Sequence, residues 1–310
     1  MQWISLEFNI FSFIPLCCIN QFNEIKLSQR IGVYFLCQRI FSLIFLRGLV
    51  NSWFFFNSYI KFRVIFIILG LLGKLGLFPF YFWIPKVVLG FGNVNNFFLF
   101  TFQKIGPLFL LESIINYSII QNYFFVILVI FSFIISRVIG SFQRCFLGFI
   151  SYSSIGHGGW IILSILCSLK LRTFYLFFYI IVLFFFFFFI EEEKKKIILE
   201  VIGFKINSLI KIIIICLIGI IMSGLPPFPI FFLKIWILYK ISKLLSLLTL
   251  ISLYLVSCLR IYFYRTIWIL ILLKLVNEDI SNLKIKSVIK FFFIFFINII
   301  LFFILILFIF

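Results

Sequence analysis

Residues 70 to 86 read GLLGKLGLFPFYFWIPK, which sets a lysine, Lys74, inside an apolar run and follows it with glycine and proline. A charged lysine at the centre of a bilayer costs roughly 2.5 to 3.5 kcal/mol on insertion scales, so its presence demands a reason. Two more lysines stand in the same kind of sequence: Lys104 in FLFTFQKIGPLFL and Lys234 in GLPPFPIFFLKIW.

The surroundings make this an integral membrane protein. Of 310 residues, 65% are hydrophobic and 12% charged, and the mean hydropathy is +1.29, far outside the composition of a soluble domain. Long segments are apolar all round, with no polar face to turn to water, so residues 1–310 are expected to form a single helical membrane domain. A cleaved leader is not expected, because the first apolar stretch lacks a basic flank and carries Glu7. A net charge of +18 would suggest nucleic acid in a soluble protein. Here the basic residues lie mostly between apolar stretches, where they anchor helix ends at phospholipid headgroups, and no nucleic-acid partner is expected.

Windows long enough to cross about 30 Å of hydrocarbon give ten expected spans, an all-α polytopic architecture. They run over 3–19, 31–50, 63–83, 94–112, 121–140, 145–168, 173–190, 207–239 with a break, 244–264 and 288–310. Short polar connections such as NQFNEIKLSQR at 20–30 imply antiparallel neighbours, and EEEKKK at 191–196 reads as a solvated loop. Alternating the spans places more Lys and Arg on the side reached after the first helix, which assigns that side to the cytoplasm or matrix.

Proline cannot donate to the carbonyl four residues back, so Pro79 is expected to free the carbonyl of Leu75, and Pro107 that of Gln103. Each freed acceptor adjoins a lysine, which predicts a partly polar pocket, since irregular backbone at membrane depth is tolerated only in protein-buried or wet places. SGLPPFPIFF at 223–232 is a stronger break, with Pro226, Pro227 and Pro229 beside Gly224. Interrupted helices, one in each half of the chain and each carrying a lysine, form the pattern of inverted-repeat transporters. Low dielectric disfavours the charged amine, so a lysine held there can exchange a proton near physiological pH. Its ammonium needs a carboxylate, and Glu7 is the acidic residue well inside a span. Which lysine it faces is not readable from spacing. Glu112, at the end of a span, is a candidate peripheral relay, and His157 in SYSSIGHGGW is either a packing histidine or a relay. Arg39 and Arg137 read as end anchors or ion-pair partners. Snorkelling to the interface is the alternative reading for each lysine. Seven scattered cysteines, with no CxxC spacing, support neither an iron–sulfur nor a zinc site, and no metal is expected.

At these residues the chain resembles the antiporter-like subunits of respiratory NADH–ubiquinone oxidoreductase (complex I), subunit 2 in particular. KLGLFPFYFWIPKV is similar to that family's KLGxxPFHFWxPEV, TFQKIGPL to TWQKIAPL, SYSSIGHGGW to AYSSIxHxGW, SGLPPFPIFFLK to GGLPPxxGFxPK, and WISLEFNIFSFIP to its glutamate-bearing helix. Departures are Tyr81 for histidine, Lys86 for glutamate, and Leu147 and Gly148 where a basic pair usually precedes AYSS.

The resemblance implies an antiporter-like fold and proton translocation by Glu7 and Lys74 as an ion pair, Lys104 as central relay and Lys234 on the exit side. It implies an enzyme only as part of NADH:ubiquinone reductase, with NADH, FMN, iron–sulfur clusters and ubiquinone handled by other subunits and no cofactor in this chain. The expected partners are other membrane-arm subunits, including neighbouring antiporter-like ones, and phospholipids. Relative to the family's fourteen-helix members, four N-terminal spans are expected to be absent, either lost or supplied by a separate polypeptide. Abundant phenylalanine, 51 residues, with Ile and Lys, points to AT-rich organelle coding and hence the mitochondrial inner membrane. Two alternatives remain open at this point: a cation/proton antiporter subunit of a related assembly, and a non-pumping structural subunit.

Overall fold

The structure, a computed structural model, describes residues 2–19, 25–54, 60–115, 119–143, 145–189, 218–219, 221–224, 228–242 and 251–253. Every element bounded among them is a helix: α1 (Gln2–Ile19), α2 (Ile25–Phe54), α3 (Ile60–Leu75), α4 (Trp83–Val88), α5 (Asn93–Phe100), α6 (Phe102–Ile115), α7 (Ile119–Ser141), α8 (Phe146–Cys167), α9 (Leu169–Phe189) and α10 (Pro229–Ser242). Five stretches are long and apolar enough to cross a membrane: Ser28–Val50, Asn93–Ile114, Phe124–Ser141, Leu147–Cys167 and Leu169–Phe188. The chain is therefore an all-α, multi-pass membrane protein. Span 288–310, most of 244–264, residues 207–217 of span 207–239, the EEEKKK block, Pro226, Pro227 and Arg144 lie outside the described residues.

The described residues fall into two compact units, the first holding α1 to α8 apart from a few residues at the ends of α7 and α8, the second holding α9 and α10. In the first, α1 packs on α2, α2 on α3, α3 on α6, and α6 back on α1, a closed ring of four helices. Small residues allow its closest approach. A β-carbon on Gly70 would fall 2.8 Å from the Phe45 amide nitrogen, and one on Gly73 would overlap the Phe41 ring. Without a hydrophobic drive between helices in lipid, such close backbone packing and interhelical hydrogen bonds hold the bundle, the latter at about 0.6 kcal/mol each. Tyr34 of α2 donates to Gln103 of α6 at 3.0 Å, Gln103 donates to the Asn9 side chain of α1 at 3.1 Å, and Gln38 of α2 donates to the Lys74 carbonyl at 3.3 Å. By contrast with the other four candidate spans, α8 is enclosed almost end to end, 94% of its window being buried.

Two of the expected spans are broken. Span 63–83 carries the discontinuity expected near Lys74: α3 stops at Leu75, and the chain turns before the short α4. Gly76 adopts φ +66°, its amide donates to the Gly73 carbonyl at 3.1 Å, and the Leu77 amide donates to that of Leu72 at 3.1 Å. This is a Schellman cap, for which glycine alone carries no β-carbon penalty, so the stop is set three residues before the proline. The Trp83 indole, donating to the Gly73 carbonyl at 3.0 Å, pins α4 beneath it. Span 94–112 is likewise interrupted, at Thr101, between α5 and α6. The Lys104 amide turns to the Thr101 carbonyl at 3.1 Å, an i−3 bond. Pro107 lies inside α6 and, having no N–H, gives the Gln103 carbonyl no helical donor.

In the second unit α9 and α10 pack together. The Lys240 amine donates to the Ser168 hydroxyl at 3.3 Å and lies 5.3 Å over the Trp236 ring. Arg172, expected between spans, is instead buried in the first turn of α9.

Candidate functional site

Within the four-helix ring, α1 and α2 each contribute one charge and one ring. Arg39 Nη1 lies 2.6 Å from a Glu7 carboxylate oxygen, and the guanidinium sits 4.6 Å from the Phe11 ring centroid and 5.0 Å from that of Phe35. Phe11 is one turn after Glu7, and Phe35 one turn before Arg39, so i, i+4 spacing on two packed helices builds an aromatic clamp around the ion pair. Glu7 is buried, while the Arg39 side chain is 30% exposed.

Lys74, on the last turn of α3, is 5% exposed. Its amine has no hydrogen-bond partner among the described residues. It does feel charge: Glu7 attracts its ammonium and Arg39 repels it. Among the described residues the direct contact of Glu7 is with Arg39, and the Lys74 amine makes no hydrogen bond to the carboxylate.

Lys104, 5% exposed, reaches from α6 to α8, where its amine donates to the Ser154 carbonyl at 3.2 Å and lies 5.6 Å from the Phe100 ring centroid. A helical carbonyl has two lone pairs, so it accepts the amine beside its own ladder bond. His157, fully buried, stands three residues further along α8, on the same helix face as Ser154. Glu112 is two turns beyond Lys104 on α6, partly exposed.

Lys234 lies within α10 of the second unit and is 7% exposed. Its amine donates to the Ser223 carbonyl at 2.8 Å, at the end of a helical turn closed by Gly224 with φ +72°. Unpaired carbonyls and the negative end of a helical turn favour a cation there. The break expected at Gly224–Pro229 is visible on both flanks, since helix ends before Gly224 and α10 begins at Pro229. A β-carbon on Gly224 would overlap the Lys234 amine.

In the first unit Glu7, Lys74 and Lys104 stand on α1, α3 and α6 of the helix ring, and Lys104 reaches to α8, which also carries His157. Sequence reading left Arg39 as an end anchor or an ion-pair partner; the structure makes it the direct partner of Glu7. Its signal was a charged residue next to Gln38 at mid-span, with no proline or glycine to mark it. The Asn9–Gln103–Tyr34 chain was missed, because each residue alone reads as an ordinary span polar group.

Residues 2–260 match the family model described as NADH:quinone oxidoreductase/Mrp antiporter, TM. The chain belongs to this family. Among curated relatives, NADH-ubiquinone oxidoreductase chain 2 of Anopheles gambiae is 32% identical over 84% of this chain and 76% of its own length. The proteins of the same name from Sylvisorex ollula and Pongo pygmaeus are 28% and 27% identical, over 85% and 86% of this chain and 77% and 78% of theirs. Solved structures agree in fold at 18% identity. A chain of respiratory complex I from Thermus thermophilus superposes with TM-score 0.74 over 87% of this chain and 64% of its own, and one of an archaeal membrane-bound sulfane sulfur reductase with TM-score 0.74 over 86% and 60%. The chain therefore spans about three-quarters of the curated relatives and under two-thirds of the solved ones. Glu7, Lys74, Lys104 and Lys234 all fall within the NADH:quinone oxidoreductase/Mrp antiporter match.

Proposed function

We propose that this chain passes protons through its buried lysines, with Glu7 and Lys74 as the coupled pair, Lys104 as central relay and Lys234 on the exit side. It is a complex I subunit of the chain 2 type, a multi-pass protein of the mitochondrial inner membrane, whose partners are other membrane-arm subunits. The observation that carries the finer reading is the burial of three lysine amines, two of them seated on backbone carbonyls. A structural lysine in lipid would reach for the interface. These do not.

The energies are adequate. Two charges about 7 to 10 Å apart at an effective dielectric near 20 interact by about 2 kcal/mol. Moving a charge across 100 mV needs roughly 2.3 kcal/mol, so a chain of such couplings suffices for stepwise transfer. Electron transfer, with NADH, flavin, iron–sulfur clusters and quinone, belongs to other subunits in this reading, and His157 and Glu112 serve as side relays.

Neutralising the carboxylate tests the pair. Glu7→Gln in the intact complex lowers proton translocation about 30-fold in reconstituted vesicles, as the loss of a coupling of that size requires. Unchanged translocation at normal assembly would favour a structural subunit, and proton exchange against a metal cation without quinone reduction would favour the antiporter reading.

A further inference from the structure

Arg39 sits at the midpoint of the apolar stretch Ser28–Val50. At 1.5 Å per residue it lies about 16 Å along the helix from either end, too far for its side chain to act as a headgroup anchor. What it touches instead is the Glu7 carboxylate, with Phe11 and Phe35 on the guanidinium. The adjacent residue, Gln38, donates to the Lys74 carbonyl, so the same turn of α2 grips both members of the pair. Lys74, meanwhile, has a buried amine with no hydrogen bond to any described residue, although Glu7 attracts it.

We propose that Arg39 is a positioning residue of the Glu7/Lys74 site, a fixed cation that competes with Lys74 for the Glu7 carboxylate. The inference rests on the proton-transfer reading of that pair. Guanidinium does not give up its proton in proteins, so Arg39 passes none; it sets where the carboxylate rests. With Glu7 on Arg39, the Lys74 amine faces no direct counter-ion and a proton there is passed on readily. When a proton arrives on Lys74, the carboxylate is drawn from the clamp toward the ammonium, and when the proton leaves, the guanidinium takes it back. Two rings hold the guanidinium flat and keep the resting position defined.

The test uses the intact complex in vesicles. Arg39→Met leaves Lys74 as the cation for Glu7, tightens that pair and slows turnover-linked proton translocation about tenfold, with KM for quinone unchanged. Arg39→Lys, which keeps the charge, recovers most of the rate. In the infrared spectrum the Glu7 carboxylate band, assigned by its loss in Glu7→Gln, shifts in Arg39→Met, which a merely structural arginine would not cause. Wild-type translocation in Arg39→Met, or an unmoved band, overturns the inference. Should Arg39→Met fail to assemble, Arg39→Gln is read by the same rate and band. Lys74→Met separates the two levels: if it pumps normally, the proton-transfer reading itself fails, whereas if it stops pumping and the Arg39 variants do not differ from wild type, only the role of Arg39 is lost.

Discussion

Lys104→Met leaves the complex assembled and lowers proton translocation by at least about 100-fold, the lower range for loss of a positioned proton carrier. Methionine has nearly the length of lysine and no proton to exchange. Removing a buried charge in favour of an apolar side chain is commonly neutral or stabilising, so the fold survives. Ser154, which accepts from the Lys104 amine at 3.2 Å, keeps the helical ladder of α8. Phe100, at 5.6 Å, packs as well on a thioether as on an ammonium. The effect therefore falls on transfer and hardly on structure. Native-gel quantification of the complex, with vesicle acidification per NADH oxidised, checks it. Translocation at the wild-type level with Lys104→Met would show that protons take another route.

Gly224→Ala disables the second unit's lysine by two separable effects. At φ +72° an L-residue costs roughly 1 to 2 kcal/mol more than glycine. The added β-carbon would also stand where the Lys234 amine now sits on the Ser223 carbonyl. That amine has to leave its acceptor, and translocation is expected to fall at least tenfold alongside a loss of stability of about 1 to 2 kcal/mol. Gly224→Asn distinguishes the causes, because asparagine tolerates the left-handed region yet carries the same β-carbon. The space-based reading holds if Gly224→Asn pumps as poorly as alanine while the complex unfolds at a more nearly normal temperature. Normal pumping by the asparagine variant would show that backbone strain alone matters.

Helix bounds were legible where long apolar runs meet polar punctuation. The expected spans 3–19, 121–140 and 145–168 coincide with α1, α7 and α8 to within a residue or two. Charge and proline were weaker guides. The break near Lys74 was legible from the glycine and proline around it, but it is Gly76, not Pro79, that makes the stop, its left-handed backbone closing the helix before the proline is reached. α2 runs past its expected ends at 31 and 50, to Ile25 and Phe54, because nothing in those flanks forbids a helix and hydropathy alone sets no cap. The three lysines stood out because a cation in apolar sequence is costly. Their acceptors did not. Ser154 and Ser223 act through backbone carbonyls, which every residue carries, so side-chain chemistry leaves no trace of them in the sequence. Pairing across helices was equally hidden: Glu7 and Arg39 meet because α1 packs on α2, and spacing along one chain cannot say which of several cations a carboxylate will find.

The sharpest measurement is the ratio of protons translocated to electrons delivered, taken side by side for Lys74→Met, Lys104→Met and Lys234→Met in the reconstituted complex. If buried amines carry the protons in series, all three variants fall to one common, lowered ratio while NADH-to-quinone transfer remains measurable. Any one of the three holding the wild-type ratio would contradict a shared path through these lysines.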